Sequence, residues 1–434
     1  MSDHEEESEY KKVMVITYYW PPSGGSGVQR WLKFVKYLPQ FGWQPYVFTP
    51  ENPSFDLKDE SLFKDIPAEA EVLHFPIWEP YGVFNKLSGG GLKVNANSAP
   101  KADSLFSKIS IWVRGNLFIP DPRMFWVRPS VKFLDDFLRE KKIRHIITTG
   151  PPHSIHLIGL GLKKRNPSLK WIADFRDPWS EWGFLDTLKL TQFARRRHQQ
   201  LEKKVLTTAD KVTTITPFYV RHFERLGGRK VNLLTNGYDE EDFQDFTIER
   251  TDRFVIRHVG IVNEKCNPIP FMEAVAALCD QYPEFKHAVQ VDFVGQVNTH
   301  FARYVDEHTV LKTITKLTPT IPHKEVVKLY GKSALLLLVL TGYKDAQGYM
   351  PGKLFEYLAT GLPVLGVGPE QGDAADLMRQ AGWGIMVDSY NQDEIKAALE
   401  KHFRNWQSQR QLHNSGNMSF SRKSITRKLA DVLS

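Results

Sequence analysis

Short, unbroken apolar runs alternate with helix-length segments along nearly the whole chain, and no other feature of the sequence narrows the fold as far. In the first half the runs fall at 13–19, 45–49, 71–75, 145–149, 170–175, 211–216 and 231–235, with helical patterns at 28–41, 129–141, 153–164, 191–206 and 217–226. In the second half they fall at 254–259, 289–294, 310–313, 334–340, 363–367 and 384–387, with helical patterns at 268–281, 323–330, 353–360, 374–380 and 393–403. A strand buried on both faces reads as a continuous apolar run rather than an alternating one. The run at 334–340 (ALLLLVL) is the clearest case, of strand length and far too short to cross a bilayer. Such strands separated by helices predict an α/β fold whose parallel sheets are covered on both faces.

The alternation pauses once, at 239–253 (DEEDFQDFTIERTDR), where charge is dense and aliphatic residues are scarce. The pause predicts a boundary between two Rossmann-like domains, one over 10–240 and one over 250–410, with a last helix at 422–433. A chain of 434 residues has room for two or three domains of ordinary size. A second irregular stretch, 88–122, is rich in Gly, Asn and Ser, and reads as a mobile or ligand-facing loop. With 41% hydrophobic and 25% charged residues, the chain is not collagen-like, wholly disordered or a disulfide scaffold. Its two cysteines, Cys266 and Cys279, point to a reducing compartment. The net charge of +7 is too mild to make a nucleic-acid binder, but suits anionic ligands or an acidic membrane surface. An acidic start (MSDHEEESE) and the lack of a long apolar run give the expectation of a cytoplasmic protein, peripheral on a membrane at most.

Six stretches carry chemistry. In PPSGGSG, 21–27, Gly24, Gly25 and Gly27 allow close backbone approach, and the helix start that follows attracts anions. As a dinucleotide fingerprint it has Arg30 where the third glycine belongs. In TTGPPHSIH, 148–156, His153 stands at a helix mouth within reach of a sugar hydroxyl, with His156 one turn on. In DFRDPW, 174–179, Asp174, Arg176 and Asp177 either pair with one another, or a carboxylate faces the cleft to bind an acceptor hydroxyl or take its proton. LLTNGYDEEDF, 233–243, places Asn236, Gly237 and Asp239 at the interdomain turn, a hinge. HVGIVNEK, 258–265, offers Gly260 for close approach and Lys265 for a phosphate, or is a plain turn with a surface lysine. Finally, YMPGKLFEYLATGLPVLGVGP, 349–369, starts a helix with Lys353, an anion site, and carries Glu356 one turn in, able to hold a ribose.

In this order and on these elements, the six stretches resemble the GT-B superfamily of retaining, nucleotide-sugar-dependent glycosyltransferases, and within it bacterial enzymes of surface-polysaccharide assembly. NGYDEEDF and GKLFEYLATGLPVLG are the strongest marks. The resemblance implies two Rossmann-like domains facing across a cleft, with the C-terminal helix, within 415–434, returning to the first domain. It implies no catalytic metal and no cofactor beyond the nucleoside diphosphate sugar as co-substrate. Gly24, Gly25 and Gly27 match the family's glycine loop, His153 a histidine beside the donor sugar, Lys265 a basic diphosphate contact, and Glu356 the second of two glutamates separated by seven residues. The first glutamate falls at Gly348, which has no side chain, and Lys353 is then expected to supply the donor-phosphate contact.

The implied activity is transfer of a sugar to an acceptor hydroxyl, saccharide or lipid-linked, with domain closure about the hinge excluding water. A catalytically silent sugar-nucleotide-binding scaffold is the rival that Gly348 motivates; a sugar-nucleotide epimerase and a dinucleotide-dependent oxidoreductase are lesser ones. Two further segments interleave apolar and basic residues: 106–118, with Lys108 and Arg114, and 187–204, with Lys189, Arg195, Arg196, Arg197, Lys203 and Lys204. They read either as a face for anionic lipid or as a packed loop and a solvated helix.

Overall fold

Among the described residues the strands fall into two sheets. One holds β1 (Lys11–Ile16), β2 (Trp43–Pro50), β3 (Glu71–Phe75), β4 (His145–Gly150), β5 (Lys170–Phe175), β6 (Lys211–Thr214) and β7 (Asn232–Leu233). The other holds β8 (Phe254–Val259), β9 (Val289–Val294), β10 (Thr315–Thr318), β11 (Leu335–Val339), β12 (Val364–Val367) and β13 (Gly384–Val387). The structure, a computed structural model, describes residues 10–408 and 418–434 apart from 54, 56–57, 80–104, 182, 265, 341–345 and 383. Of the stretch at 88–122 expected to be a loop, 88–104 lie outside the described residues, and the rest is corrected: Leu105–Asn116 form a helix.

These thirteen strands pair in parallel throughout, in the orders β3-β2-β1-β4-β5-β6-β7 and β10-β9-β8-β11-β12-β13. Strand periodicity explains why the runs are unbroken. Val13 and Val15 pack into one apolar layer and Met14 and Ile16 into the opposite one. On β11, Leu335, Leu337 and Val339 face one way, and Leu336 and Leu338 the other. Each such side chain removed from water contributes about 1.5–3 kcal/mol. In both sheets the order reverses beside the first strand, between β1 and β4 and between β8 and β11. In open α/β sheets the crevice beyond the strand ends at such a point is where ligands bind.

The chain divides into two units, one comprising the residues up to Thr235 and Ile425–Ser434, the other Asn236–Ser424. Within the second unit its two ends lie together: the Tyr238 amide donates to Phe420 O at 3.2 Å, and the Arg422 amide to Tyr238 O at 2.8 Å. The last helix, Arg422–Leu433, then sends Ile425, Leu429, Ala430 and Leu433 into the first unit's core beside Val13, Val15 and Trp31.

Three further local expectations are corrected. The run at 310–313 is not a strand: His308 Nδ1 accepts from the Val310 and Leu311 amides at 3.3 Å, the helix Leu311–Ile314 follows, and the strand comes after it as β10. The helix expected from Pro129 begins earlier, as Met124–Glu140 with the proline inside it. The helices Pro283–Ala288 and Thr299–Glu307 were not foreseen; the first starts on a proline, and the second is capped by Asn298, whose side chain accepts from the Phe301 amide at 2.8 Å.

Candidate functional site

In the first unit, the chain leaving β1 turns through Gly24 and Gly25 into the helix Ser26–Tyr37. Gly25 has φ +85°, a left-handed conformation that glycine alone adopts without strain. It caps the helix with no side-chain hydrogen bond, and no acid stands in the first turn, so the leading amides keep their pull on anions. A Cβ at Gly27 would make only ordinary contacts, 3.5 Å from Arg176 and Tyr19.

Arg30 explains why the dinucleotide fingerprint fails. It points inward, with Nε and Nη2 on Asp174 at 3.2 and 2.9 Å and Nη1 on Thr235 O at 2.9 Å. Asp174 also accepts from Trp31 Nε1 at 2.8 Å, Thr149 Oγ1 at 3.0 Å and Thr213 Oγ1 at 2.8 Å, and is sealed from solvent. Burial alone would raise its pKa, but the Arg30 charge and these hydrogen bonds outweigh burial and hold the carboxyl below its ordinary value. The expectation that Asp174 acts on substrate is thus corrected: both oxygens are committed to the core. Its partner is Arg30, not Arg176.

Arg176 serves the loops instead. Its Nη1 donates to Gly27 O at 2.7 Å, its Nε to Gly150 O at 3.3 Å and its Nη2 to Pro151 O. One guanidinium therefore ties the loop after β1 to the loop after β4, across the point where the strand order reverses. Asp177 is half-buried and accepts no hydrogen bond among the described residues. Burial raises its pKa, and the Arg176 charge only partly opposes this.

His153 precedes the helix Ser154–Arg165, whose start is capped from afar: Asp121 accepts from the Ser154 amide at 2.9 Å and from its hydroxyl at 2.8 Å. The His153 ring stacks on Trp179, centroids 5.0 Å apart and planes 2° from parallel. Burial, then the neighbouring histidines, push its pKa well below the ordinary value, so the ring is neutral. His156 is a core residue, with Nδ1 2.9 Å from Thr148 Oγ1 and its ring on Phe175 at 4.3 Å; burial pulls its pKa down to about 3. Sequence reading missed what lies behind Trp179. Its Nε1 donates to His198 Nδ1 at 3.0 Å, and Glu202 accepts from the Trp179 and Ser180 amides at 3.1 Å. Only the i, i+4 spacing of His198 and Glu202 on the helix Gln192–Thr208 hints at this shared face.

In the second unit, β8 ends at Gly260, with φ +128°. Lys353 Nζ lies against it: a Cβ on Gly260 would fall 2.7 Å from Nζ. Lys353 and Glu356 occupy the opening turns of the helix Gly352–Thr360, which has neither a capping side chain nor an acid in its first turn. Burial lowers the Lys353 pKa to about 8. Glu356 accepts from Tyr330 Oη at 2.8 Å and lies 3.2 Å from His323 Nε2. Burial would raise its pKa, but His323, Tyr330 and the Arg422 charge outweigh it, and the carboxylate stays ionised. The next helix start, Asp373–Ala381, carries Asp373 and Asp376 in its own first turn and is less inviting to an anion.

Lys265 lies outside the described residues. Gly348 lies in the short turn Ala346–Gly348 and is buried. Of the hinge residues, Asn236 opens the second unit, Gly237 follows it, and Asp239 caps the turn Glu240–Phe243 by accepting from the Glu241 amide at 3.3 Å. The structure therefore gathers Gly24, Gly25, Gly27, His153 and Asp177 around one strand-order reversal, and Gly260, Lys353 and Glu356 around the other.

Residues 239–418 match the family model described as glycosyl transferases group 1. No curated protein sequence matches the chain. Among solved structures, the chain is similar to sucrose-phosphate synthase from Thermosynechococcus elongatus, at 14% identity and a TM-score of 0.62 over 97% of this chain and 98% of that one. It is also similar to WaaG, a glycosyltransferase involved in lipopolysaccharide biosynthesis, at 16% identity and a TM-score of 0.55 over 97% and 99%. A third is the catalytic domain of starch synthase IV from Arabidopsis thaliana bound to ADP and acarbose, at 11% identity and a TM-score of 0.60 over 98% of each chain. Similarity at this level carries the fold, which is GT-B. The enzymatic class is supported by the family match: residues 239–418 are similar to the glycosyl transferases of group 1.

Proposed function

We propose that the protein transfers a glycosyl group from a nucleoside diphosphate sugar to an acceptor hydroxyl, with retention of configuration and without a catalytic metal, in polysaccharide or glycolipid assembly. The observation that carries this reading is the uncapped helix start at Gly352, with Lys353 beside the Gly260 turn and ionised Glu356 one turn on. A diphosphate leaving group needs positive charge, which the helix dipole and the Lys353 ammonium supply. Glu356 accepts the hydroxyls of the ribose. Neutral His153 binds a sugar hydroxyl, and Asp177 takes the acceptor's proton. The ADP held by the starch synthase IV structure supports a nucleoside diphosphate as ligand. Calorimetric titration with UDP, GDP and ADP tests the reading: tight binding of at least one is expected, and binding of no nucleotide overturns it. The anomeric configuration of the product, read by NMR, tests retention, and turnover in EDTA tests metal independence.

The acceptor is proposed to be saccharide, presented on lipid. The helix Leu105–Asn116 packs against the segment before the basic helix, with Asn116 Nδ2 donating to Lys189 O at 3.3 Å and Asn116 Oδ1 accepting from the Thr191 amide at 2.7 Å. The two segments that interleave apolar and basic residues thus adjoin at Asn116, with Arg114 buried rather than part of a basic face. Ile109, Trp112, Leu117 and Phe193 are exposed on these segments with Lys108, Arg196 and Arg197. Among the described residues no helix is long and apolar enough to cross a membrane. Co-sedimentation with anionic vesicles at low salt is expected, and a protein that stays in the supernatant ends the idea.

A further inference from the structure

The functional reading uses Lys353 and Glu356 but leaves a third group at the same place without a task. His258 is wholly buried on β8. Its Nδ1 lies 3.0 Å from Leu337 O on the neighbouring β11. A carbonyl can only accept, so Nδ1 carries the ring hydrogen and Nε2 presents a lone pair. That lone pair faces Lys353 Nζ at 3.3 Å. Tyr357 closes the arrangement, accepting from the Val259 amide at 3.0 Å and donating to the same Leu337 carbonyl at 3.4 Å. On its other side Nζ meets Gly260, where any Cβ would stand 2.7 Å away.

We propose that His258 is a positioning residue: as a neutral acceptor it fixes the Lys353 ammonium against the bare Gly260 turn, with the remaining N–H groups left for the donor's diphosphate. This rests on the reading of the site as a nucleoside diphosphate site. A lysine side chain is otherwise a flexible tether, and ordering it in advance spares the ligand that cost. The protonation states agree. Burial, then the Lys353 charge, holds His258 well below its ordinary pKa, while burial brings Lys353 to about 8. The ionisable groups acting on Lys353 are His258 from β8, Cys266 from the turn beyond it and Glu356 from its own helix.

The test is the titration of Lys353 by NMR with 13Cε-labelled lysine, its signal assigned by difference from Lys353→Met, alongside calorimetry with whichever of UDP, GDP or ADP binds wild type. His258→Phe removes the acceptor. It should move the Lys353 midpoint below the wild-type value and weaken nucleoside diphosphate binding about tenfold, leaving the parent nucleoside's affinity unchanged. His258→Gln, whose carbonyl can accept from Nζ while its amide donates to Leu337, should restore both. His258→Asn is too short to span the two partners and should resemble the Phe variant, which keeps the test open if the latter does not fold. An unmoved midpoint with unchanged diphosphate affinity in the Phe or Asn variant overturns the role of His258. A wild type that binds no nucleoside diphosphate overturns the reading of the site itself.

Discussion

Asp174 and Asp177 stand three residues apart at the end of β5 and have opposite fates. Asp174 neutralises a buried guanidinium, so Asp174→Ala leaves the Arg30 charge in the core without its carboxylate. A loss of about 3–5 kcal/mol in urea denaturation is expected. Asp177→Asn removes a half-buried carboxylate whose partner, the Arg176 charge, keeps its three carbonyl acceptors, so stability should change by no more than about 1 kcal/mol while transfer activity falls. Equal stability losses in the two variants would reverse the assignment. Lys353 gives a prediction with a sign. Its ammonium is needed for diphosphate binding and deprotonates with a midpoint of about 8, so affinity should fall as pH rises from 7 to 9. Lys353→Ala should weaken UDP, GDP or ADP binding about tenfold and abolish that pH dependence. Calorimetry at the two pH values reads both effects.

At the scale of elements, the two strand-order reversals are where sequence and structure meet most closely. Gly25, at the helix start after β1, and Gly260, at the end of β8, take positive φ, a backbone conformation that a side chain would strain. Gly260→Ala should therefore act twice, by forcing alanine into φ +128° and by pushing Lys353 Nζ aside. We expect a stability loss of about 1–3 kcal/mol and loss of diphosphate binding, measured by thermal denaturation and calorimetry. Most elements were legible because burial on both faces leaves uninterrupted apolar runs. What escaped is physically distinct. β10 (TKLT) is a half-exposed edge strand with no apolar run to announce it. The helices Pro283–Ala288 and Thr299–Glu307 are short and bury only Phe285, and Phe301 with Val305, too few apolar positions to set a helical period. The pairing of Arg30 with Asp174 joins residues distant in sequence, and nothing local reports it. The same holds for Asp121 capping the His153 helix and for His258 beneath Lys353.

At the scale of the whole molecule, buried neutral histidines set the acid limit. His156 and His198 are brought by burial to about 3 and about 4 from 6.5. Their folded pKa values lie below the unfolded ones, so their contribution is complete above pH 6.5 and is lost as pH falls. Each should cost on the order of 1.4 kcal/mol per pH unit on the way down. Urea denaturation at pH 7 and pH 5 should show a drop of several kcal/mol, and a flat profile would assign these rings a charge they are argued to lack. Another consequence concerns the order of events on the ribosome. The second unit is an insertion: the chain enters it after Thr235 and leaves it before Ile425, through two hydrogen-bonded neighbouring segments. The first unit, whose other strands and helices precede the second, lacks Ile425, Leu429, Ala430 and Leu433 until the helix that carries them emerges. The later-synthesised unit can thus be whole while the earlier one still waits with an open seam, and a nascent chain stopped at Ser424 would pair a finished second unit with a protease-sensitive first one.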